Sequence, residues 1–182
     1  MEARLELEEM IRIDYLEVDS PVGPLLLAGT ENGMCLIEFG QLANKPVEQN
    51  VMKWFGRRYS AVRLQQNGGQ LNGAAAQLRE YFAGKRRRFE LKLDLQGTPF
   101  QLKVWHALSE IPYGETRSYA QIAGAVGSPK AVRAVGGANN RNPLPIVIPC
   151  HRVIGSDGTL TGYGGGLSIK EHLLSLERGV RI

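Results

Sequence analysis

Between Thr98 and Gly137 the chain supplies its own helix starts and stops. Thr98 is an N-cap residue, and Pro99 follows at the first helical position, where the missing N–H leaves nothing unsatisfied. Phe100, Val104 and Leu108 then recur at helical spacing until Pro112-Tyr113-Gly114 ends the segment. Ser118, with Gln121 three residues later, forms a capping box that opens a second helix to Val126, and Gly127 stops it. Ser128-Pro129 opens a third, expected from Lys130 to about Gly137. Two short helices joined by a Gly-Ser turn read as a helix-turn-helix.

The first half reads differently. Arg12 to Val18 alternates, Pro24 to Ala28 is a short apolar run, and Glu31-Asn32-Gly33 is a turn leading to a partner strand, Met34 to Phe39. Residues 46–59 and 72–83 are expected as helices, the second with Asn72 as N-cap and Gly84 past its end. Phe89, Leu91, Leu93 and Leu95 alternate like a half-buried strand. Arg86, Arg87 and Arg88 precede it, either as a solvated turn or as phosphate contacts. Gln96-Gly97-Thr98-Pro99 then marks a border. The expected fold class is α/β (α+β), with a small strand-and-helix domain over residues 1–95 and a mainly helical domain over residues 96–182.

Composition narrows the setting. At 43% hydrophobic and 22% charged, the chain matches ordinary soluble proteins. No apolar run is long enough to span a bilayer. The acidic N-terminus, MEARLELEEM, lacks the order of a signal peptide, so a cytoplasmic protein with no membrane partner is expected. Two distant cysteines, Cys35 and Cys150, give neither a disulfide framework nor a thiolate zinc site. No metal and no cofactor are expected. A net charge of +4 permits a nucleic-acid partner without requiring one.

The third helix, KAVRAVGGA, carries little side-chain bulk at Ala131, Ala134, Gly136, Gly137 and Ala138. Glycine disfavours helix by roughly 1 kcal/mol relative to alanine, so something offsets it. One reading is close approach to a nucleic-acid groove; the other is tight packing on a neighbouring helix.

Cys150 and His151 stand side by side after Pro149. Ile146-Val147-Ile148 reads as a short buried strand that the proline breaks, and Asn142-Pro143-Leu144-Pro145 as a preceding loop. A thiol attacks only as thiolate, so it needs a base. Neighbours in extended chain point to opposite faces, so direct Cys–His contact needs a turn at Pro149–Cys150 or a bridging water. Ser168 with Glu171 reads as a capping box for a last helix, Ile169 to Arg178, closed by Gly179. Glu177 falls on its inward side. It could orient His151, or it could pair with Arg178 or Arg181 at the border of the core. Cys150 itself reads equally as nucleophile or as inert core cysteine.

The segments TPFQLKVWHAL, IPYGETRSYAQIA, SPKAVRAVGGANNRNPLPIVIPCHRVIG and GYGGGLSIKEHLLSLE resemble the O6-alkylguanine-DNA alkyltransferase family. The resemblance is close over residues 98–179 and loose before them. It implies DNA repair by direct, stoichiometric, irreversible transfer of an alkyl group from O6-alkylguanine to Cys150 after the base is rotated out of the stack, with O4-alkylthymine as a second candidate substrate. A monomer acting on duplex DNA that holds alkylated guanine is expected. A Glu177–His151–water–Cys150 network would generate the thiolate, and Asn142 would brace the turn before it. Tyr119 would sit by a backbone phosphate and give its proton to the leaving guanine. Arg133 would replace the extruded base, on a helix lying in the minor groove with Ser118, Lys130, Ala131, Ala134 and Gly136 at the DNA. Tyr163 and Pro149 would wall the pocket, with backbone groups at Cys150, Val153 and Gly164 reading the guanine edge. Gly164 departs from members with serine there, and Gly164-Gly165-Gly166 is expected to loosen the loop and admit bulkier alkyl groups. The N-terminal zinc ligands of some relatives are absent.

Three other readings compete. A cysteine hydrolase would need an oxyanion hole and turnover, and would leave the helix-turn-helix idle. A non-catalytic lesion sensor of the same fold would lack the nucleophile that Cys150 supplies. A helix-turn-helix transcription factor would carry polar, base-reading side chains where this helix has Ala, Val and Gly.

Overall fold

The computed structural model describes residues 10–179. Met1 to Glu9, most of the acidic N-terminal stretch, and Arg181 lie outside the described residues. The chain divides into two compact units, one taking it to Arg79 together with Glu90–Asp94, the other comprising Glu80–Phe89 and the chain from Leu95.

The first unit is built on a four-stranded sheet, β1 (Ile11–Val18), β2 (Leu25–Thr30), β3 (Gly33–Phe39) and β4 (Val62–Gln66), in the order β3-β2-β1-β4. β1–β2 and β2–β3 are antiparallel, whereas β4 joins β1 in parallel. That parallel pairing is made possible by the crossover through α1 (Lys45–Gly56). β4 was not expected: its five residues, VRLQQ, present only Val62 and Leu64 to the core as partly buried side chains. Ile13, Leu26, Ala28, Leu36, Val47, Val51 and Phe55 form that core together with Cys35. The Cys35 thiol lies 3.5 Å from the Ala28 carbonyl, and burial pushes its pKa up to about 12. It is therefore a core residue without nucleophilic character.

The alternating stretch Phe89–Leu95 does not form the expected strand. It contributes a single parallel bridge, Leu93 to Met34, held by Met34 N–H on the Lys92 carbonyl (2.9 Å) and Asp94 N–H on the Met34 carbonyl (2.9 Å). Gly33 permits this approach, since a Cβ there would stand 2.5 Å from the Lys92 oxygen at φ +145°. α2 (Leu71–Phe82) begins one residue before Asn72, whose N–H bonds the Gly68 carbonyl, so Asn72 lies in the first turn rather than at the cap.

The second unit carries the helices whose boundaries the capping chemistry defines. α3 (Pro99–Ser109) has the Thr98–Gln101 capping box and α4 (Tyr119–Ala125) the Ser118–Gln121 box, each with both reciprocal bonds. α5 starts later and ends later than expected, at Val132 and Asn140, because residues 128–131 first close a turn through Ala131 N–H on the Ser128 carbonyl. It runs through Gly136 and Gly137 because Val135, Ala138 and Asn139 are buried, and the fully buried Trp105 donates its indole N–H to the Ala138 carbonyl at 2.9 Å. α6 spans Leu167–Glu177 with Gly166 (φ 92°) at its N-cap, so the Ser168–Glu171 capping box does not form. A two-stranded parallel pair, β5 (Arg117–Ser118) and β6 (Val153–Ile154), ties the entry to α4 to the segment after Cys150.

Candidate active site

Ile146-Val147-Ile148 is a tight turn and not a strand, with a bridge between Pro145 and Ile148 and Ile146 in the left-handed region at φ 76°. A β-branched side chain in that conformation is strained, and complete burial of Leu144, Ile146 and Ile148 holds it there. Asn142 braces the turn from inside. Its side-chain N–H donates to the Ile148 carbonyl (2.8 Å), and its oxygen accepts the Leu144 N–H (3.0 Å).

Pro149, at φ −79° and ψ 63°, is the centre of an inverse γ-turn, closed by Cys150 N–H on the Ile148 carbonyl at 2.7 Å. Proline suits this position because its ring fixes φ near that value. Cys150, His151 and Arg152 then form one 3₁₀ turn. The backbone thus bends where a Cys–His pair needs it to.

His151 is fully buried and its Nε2 lies 2.7 Å from Glu177 Oε1. Its Nδ1 is buried without a partner among the described residues. Glu177, at the inward end of α6, accepts far more than this one bond. Tyr81 donates its hydroxyl to Oε1 (2.7 Å), Arg152 donates NH2 to Oε1 (3.0 Å) and Nε to Oε2 (2.8 Å), and the Gly114 N–H donates to Oε2 (3.0 Å). Arg152 also donates to the Ile111 carbonyl. Glu177 thus faces His151 and is ion-paired with Arg152, not with Arg178; Arg181, the other border partner considered, falls outside the described residues. Gly114 is required where it stands, because its φ is 79° and a Cβ would meet the Glu177 carbonyl oxygen at 3.2 Å.

Burial by itself would raise the Glu177 carboxyl, but the hydrogen bonds and charge offered by His151 and Arg152 pull it far below the usual carboxylate range. Burial lowers the His151 pKa against the attraction of Glu177. The imidazole is therefore neutral, with its proton on Nε2 facing the carboxylate and a lone pair on Nδ1. Burial raises the Cys150 thiol to about 11, opposed by a hydrogen bond from Asn142 and by the charge of Lys170. Cys150 is 4% exposed, and burial favours its thiol over its thiolate.

The remaining expected residues fall into two groups around this centre. Tyr163, Val153 and Pro149 are buried beside Cys150, and Cys150 contributes to raising the Tyr163 phenol above its ordinary value after burial has done most of it. Gly164 is exposed, and a Cβ there would meet nothing within 4 Å. On α5 the outward face is Val132, Arg133 and Ala134, with Lys130 exposed just before it and Ala131 half-buried. Gly136 faces the Tyr119 ring with ordinary room, since a Cβ on it would stand 3.9 Å from the ring, and Gly137 faces only the flexible end of the Arg141 side chain. Packing within the protein thus does not demand glycine at these two positions, whereas Ala138 is buried against Trp105. Tyr119 reaches its hydroxyl to the Thr161 carbonyl at 3.3 Å, and Ser118 is occupied as the α4 cap. Of the basic triplet, Arg86 pairs with Glu80 (2.7 Å) and Arg87 stands 5.6 Å over the Tyr113 ring.

Sequence reasoning missed Arg152, Tyr81 and Lys170. Lys170 carried a signal: with Leu173, Leu174 and Glu177 it completes an i, i+3, i+4, i+7 stripe, a position where a charge is buried unless the helix is misplaced.

A compact α/β unit precedes a unit in which a helix-turn-helix adjoins a buried Cys–His–Glu cluster, and that combination defines a DNA-directed thiol protein. The family pattern described as 6-O-methylguanine DNA methyltransferase, DNA binding domain, matches residues 99–179, and that of its ribonuclease-like domain matches residues 13–95. The chain belongs to the 6-O-methylguanine DNA methyltransferase family. It is 52% identical over 163 residues to the methylated-DNA–protein-cysteine methyltransferase of Methanosarcina barkeri, covering 90% of this chain and 96% of the relative. It is 48% identical over 166 residues to the constitutive enzyme of Bacillus subtilis, covering 90% and 94%. Among solved structures it resembles Mycobacterium tuberculosis OGT in complex with DNA, with a TM-score of 0.76, 43% identity, and coverage of 93% and 94%.

Proposed function

We propose that this chain is a methylated-DNA–protein-cysteine methyltransferase that repairs DNA by moving an alkyl group from the O6 of guanine onto Cys150, once per molecule. The observation that carries the reading is the buried turn that presents Cys150 beside a neutral His151 whose outer nitrogen is committed to an anionic Glu177.

The step balances as a single displacement. The Cys150 proton passes through a bridging water to His151 Nδ1, the free lone pair. The sulfur attacks the alkyl carbon, the S–C bond forms, and the C–O6 bond breaks with its electrons going to the guanine ring. The Tyr119 hydroxyl, released from the Thr161 carbonyl, donates its proton to the departing base. Glu177 stabilises the imidazolium that forms without itself taking the proton, because Arg152 holds it as a carboxylate. The thioether has no route back, so there is no turnover.

DNA recognition falls to α5. Its small outward residue Ala134 lets the backbone approach a minor groove, and Arg133 occupies the place of the extruded base. Apart from Arg133 that face carries no long polar side chain, which argues against reading sequence in a major groove.

Intact-mass spectrometry after mixing the protein with an oligonucleotide containing O6-methylguanine tests the assignment. One added methyl, located on Cys150 and not rising with excess DNA, is expected. Cys150→Ser should take up none while binding the duplex normally; transfer surviving in that variant, or repeated turnover, would overturn the reading.

A further inference from the structure

Tyr81 stands in the last turn of α2, yet it belongs to the second unit and is 0% exposed. Its ring is held by three others of that unit. Phe82 lies edge-on at 5.4 Å between centroids, Phe89 at 5.5 Å, and Tyr113 edge-on at 6.1 Å. That packing fixes the direction of the hydroxyl, which donates to Glu177 Oε1 at 2.7 Å. Burial, and after it the Glu177 charge, push the phenol far above its ordinary value, so it serves only as a donor.

A carboxylate oxygen has two lone pairs. Glu177 Oε1 faces three donors, the Tyr81 hydroxyl, His151 Nε2 and Arg152 NH2, whereas Oε2 takes Arg152 Nε and the Gly114 N–H. The Tyr81 and His151 bonds are both 2.7 Å and meet on the same oxygen. A hydrogen bond that stabilises the anion by itself reduces what the anion gains from a positive imidazole beside it.

The surroundings of His151 make that reduction count. From α6 the ring faces Glu177 and Lys170, and from its own turn Cys150 and Arg152. The phenols of Tyr113, before β5, and Tyr163, after β6, stand by the same cluster and are kept protonated by burial and by Glu177. Burial, Arg152 and Lys170 oppose a proton on Nδ1, and Glu177 favours one. The strength of Glu177 therefore sets the basicity of the ring, and Tyr81 is the uncharged side chain on the oxygen through which it acts.

We infer that Tyr81 is a positioning residue of the alkyl transfer: it fixes Glu177 Oε1 against His151 Nε2 and tempers the pull of the carboxylate, so that Nδ1 stays a free acceptor for the Cys150 proton. The inference rests on Cys150 being the alkyl acceptor and His151 its base. The phenol keeps its own proton and acts through Glu177.

The test uses the full chain as wild type, Tyr81→Phe and Tyr113→Phe. Ring-nitrogen NMR shifts of His151, assigned by their loss in His151→Asn, give the tautomer and the midpoint of its titration between pH 4.5 and pH 8. In Tyr81→Phe that midpoint should rise by about one unit. The acid limb of Cys150 labelling by free O6-benzylguanine should move with it, so that labelling below the midpoint falls about tenfold and recovers by pH 8. Tyr113→Phe removes a neighbouring hydroxyl and leaves the bonds to Glu177 in place, so its midpoint should stay with wild type. A Tyr81→Phe midpoint that is unchanged or lower, a rise matched by Tyr113→Phe, or a ring neutral across the whole range in both wild type and Tyr81→Phe would overturn the proposal. So would a loss of labelling in Tyr81→Phe that higher pH does not restore, which would make Tyr81 a brace of the core and nothing more. Circular dichroism checks folding. Should Tyr81→Phe not fold, difluorotyrosine placed at position 81 replaces it; as a stronger donor on the same frame it should lower the midpoint, and an unmoved or raised midpoint would overturn the proposal. Failure of wild type to label at Cys150 would defeat the alkyl-acceptor reading instead, and the NMR midpoints are read independently of it.

Discussion

Replacing Glu177 by glutamine tests what the carboxylate does. On the sequence it orients a histidine; in the structure it is also the counter-ion of a buried arginine and the acceptor for Tyr81 and Gly114. A glutamine can place only one oxygen. If its amide group takes the Oε2 position, the Arg152 Nε and Gly114 N–H face another donor; if it takes Oε1, the Tyr81 hydroxyl, His151 and the second Arg152 nitrogen do. Either way Arg152 is left buried with an uncompensated charge, which costs about 3–5 kcal/mol. At about 2–4 °C per kcal/mol for a chain of this size, Glu177→Gln should lower Tm by roughly 6–20 °C at pH 7. The sign of the pH dependence follows from the depressed Glu177 pKa. Its contribution is fully present above the ordinary carboxyl value of 4.5 and is lost as pH falls below it. The gap between wild type and variant should therefore narrow from pH 6 to pH 3. Adding Arg152→Met to Glu177→Gln removes the orphaned charge and should recover part of the loss. Calorimetry reads all three proteins. A Tm change under about 3 °C for the single variant, or no recovery in the double, would refute the argument that Glu177 serves Arg152 as much as His151.

Two further outcomes follow from the same geometry. Burial lowers the His151 pKa, so the neutral ring contributes stability that is present above its ordinary value of 6.5 and lost as pH falls through the folded value; wild-type Tm should decline from pH 7.5 to 5.5, and His151→Asn should flatten that slope in the same calorimetric series. Arg133, exposed on α5, touches nothing in the chemistry of the sulfur, so Arg133→Ala should slow repair of duplex O6-methylguanine at least tenfold while labelling by free O6-benzylguanine stays within about twofold; equal losses on both substrates would contradict its role in extruding the base.

Local capping chemistry was legible and tertiary turns were not. Thr98 and Ser118 start helices through bonds to residues three positions away, Pro99 by its fixed φ, and those boundaries appear where the sequence puts them. Ser168–Glu171 has the same spacing yet forms no box, because Gly166, with its positive φ, lets the chain enter the helix at Leu167, two residues earlier. Ile146–Ile148 reads as a strand by residue type, but Asn142 and the proline at 149 close the backbone into successive turns that no periodicity reveals. β4 is too short and too polar to register. The inward placement of Glu177 could be read from helix spacing; the identity of its partner could not, since Arg152 is close to Cys150 in sequence but 25 residues from Glu177. Tyr81 is 96 residues away and gives no local sign.

The state of the sulfur explains why so many groups surround it. A thiol pushed up to about 11 lies about four units above neutral pH, so a free thiolate there costs about 5 kcal/mol. That energy protects a residue that can react only once, because a buried, protonated cysteine meets neither oxidants nor stray alkylating agents. On the proposed mechanism, deprotonation therefore accompanies attack. The proton acceptor and the nearby charge are then separate groups. His151 Nδ1 has a lone pair and no other partner among the described residues, and Lys170 has a charge and no carboxylate to cancel it there. On the proposed mechanism, saturating Glu177 with Arg152, Tyr81 and Gly114 leaves His151 as the group that takes the proton of the sulfur.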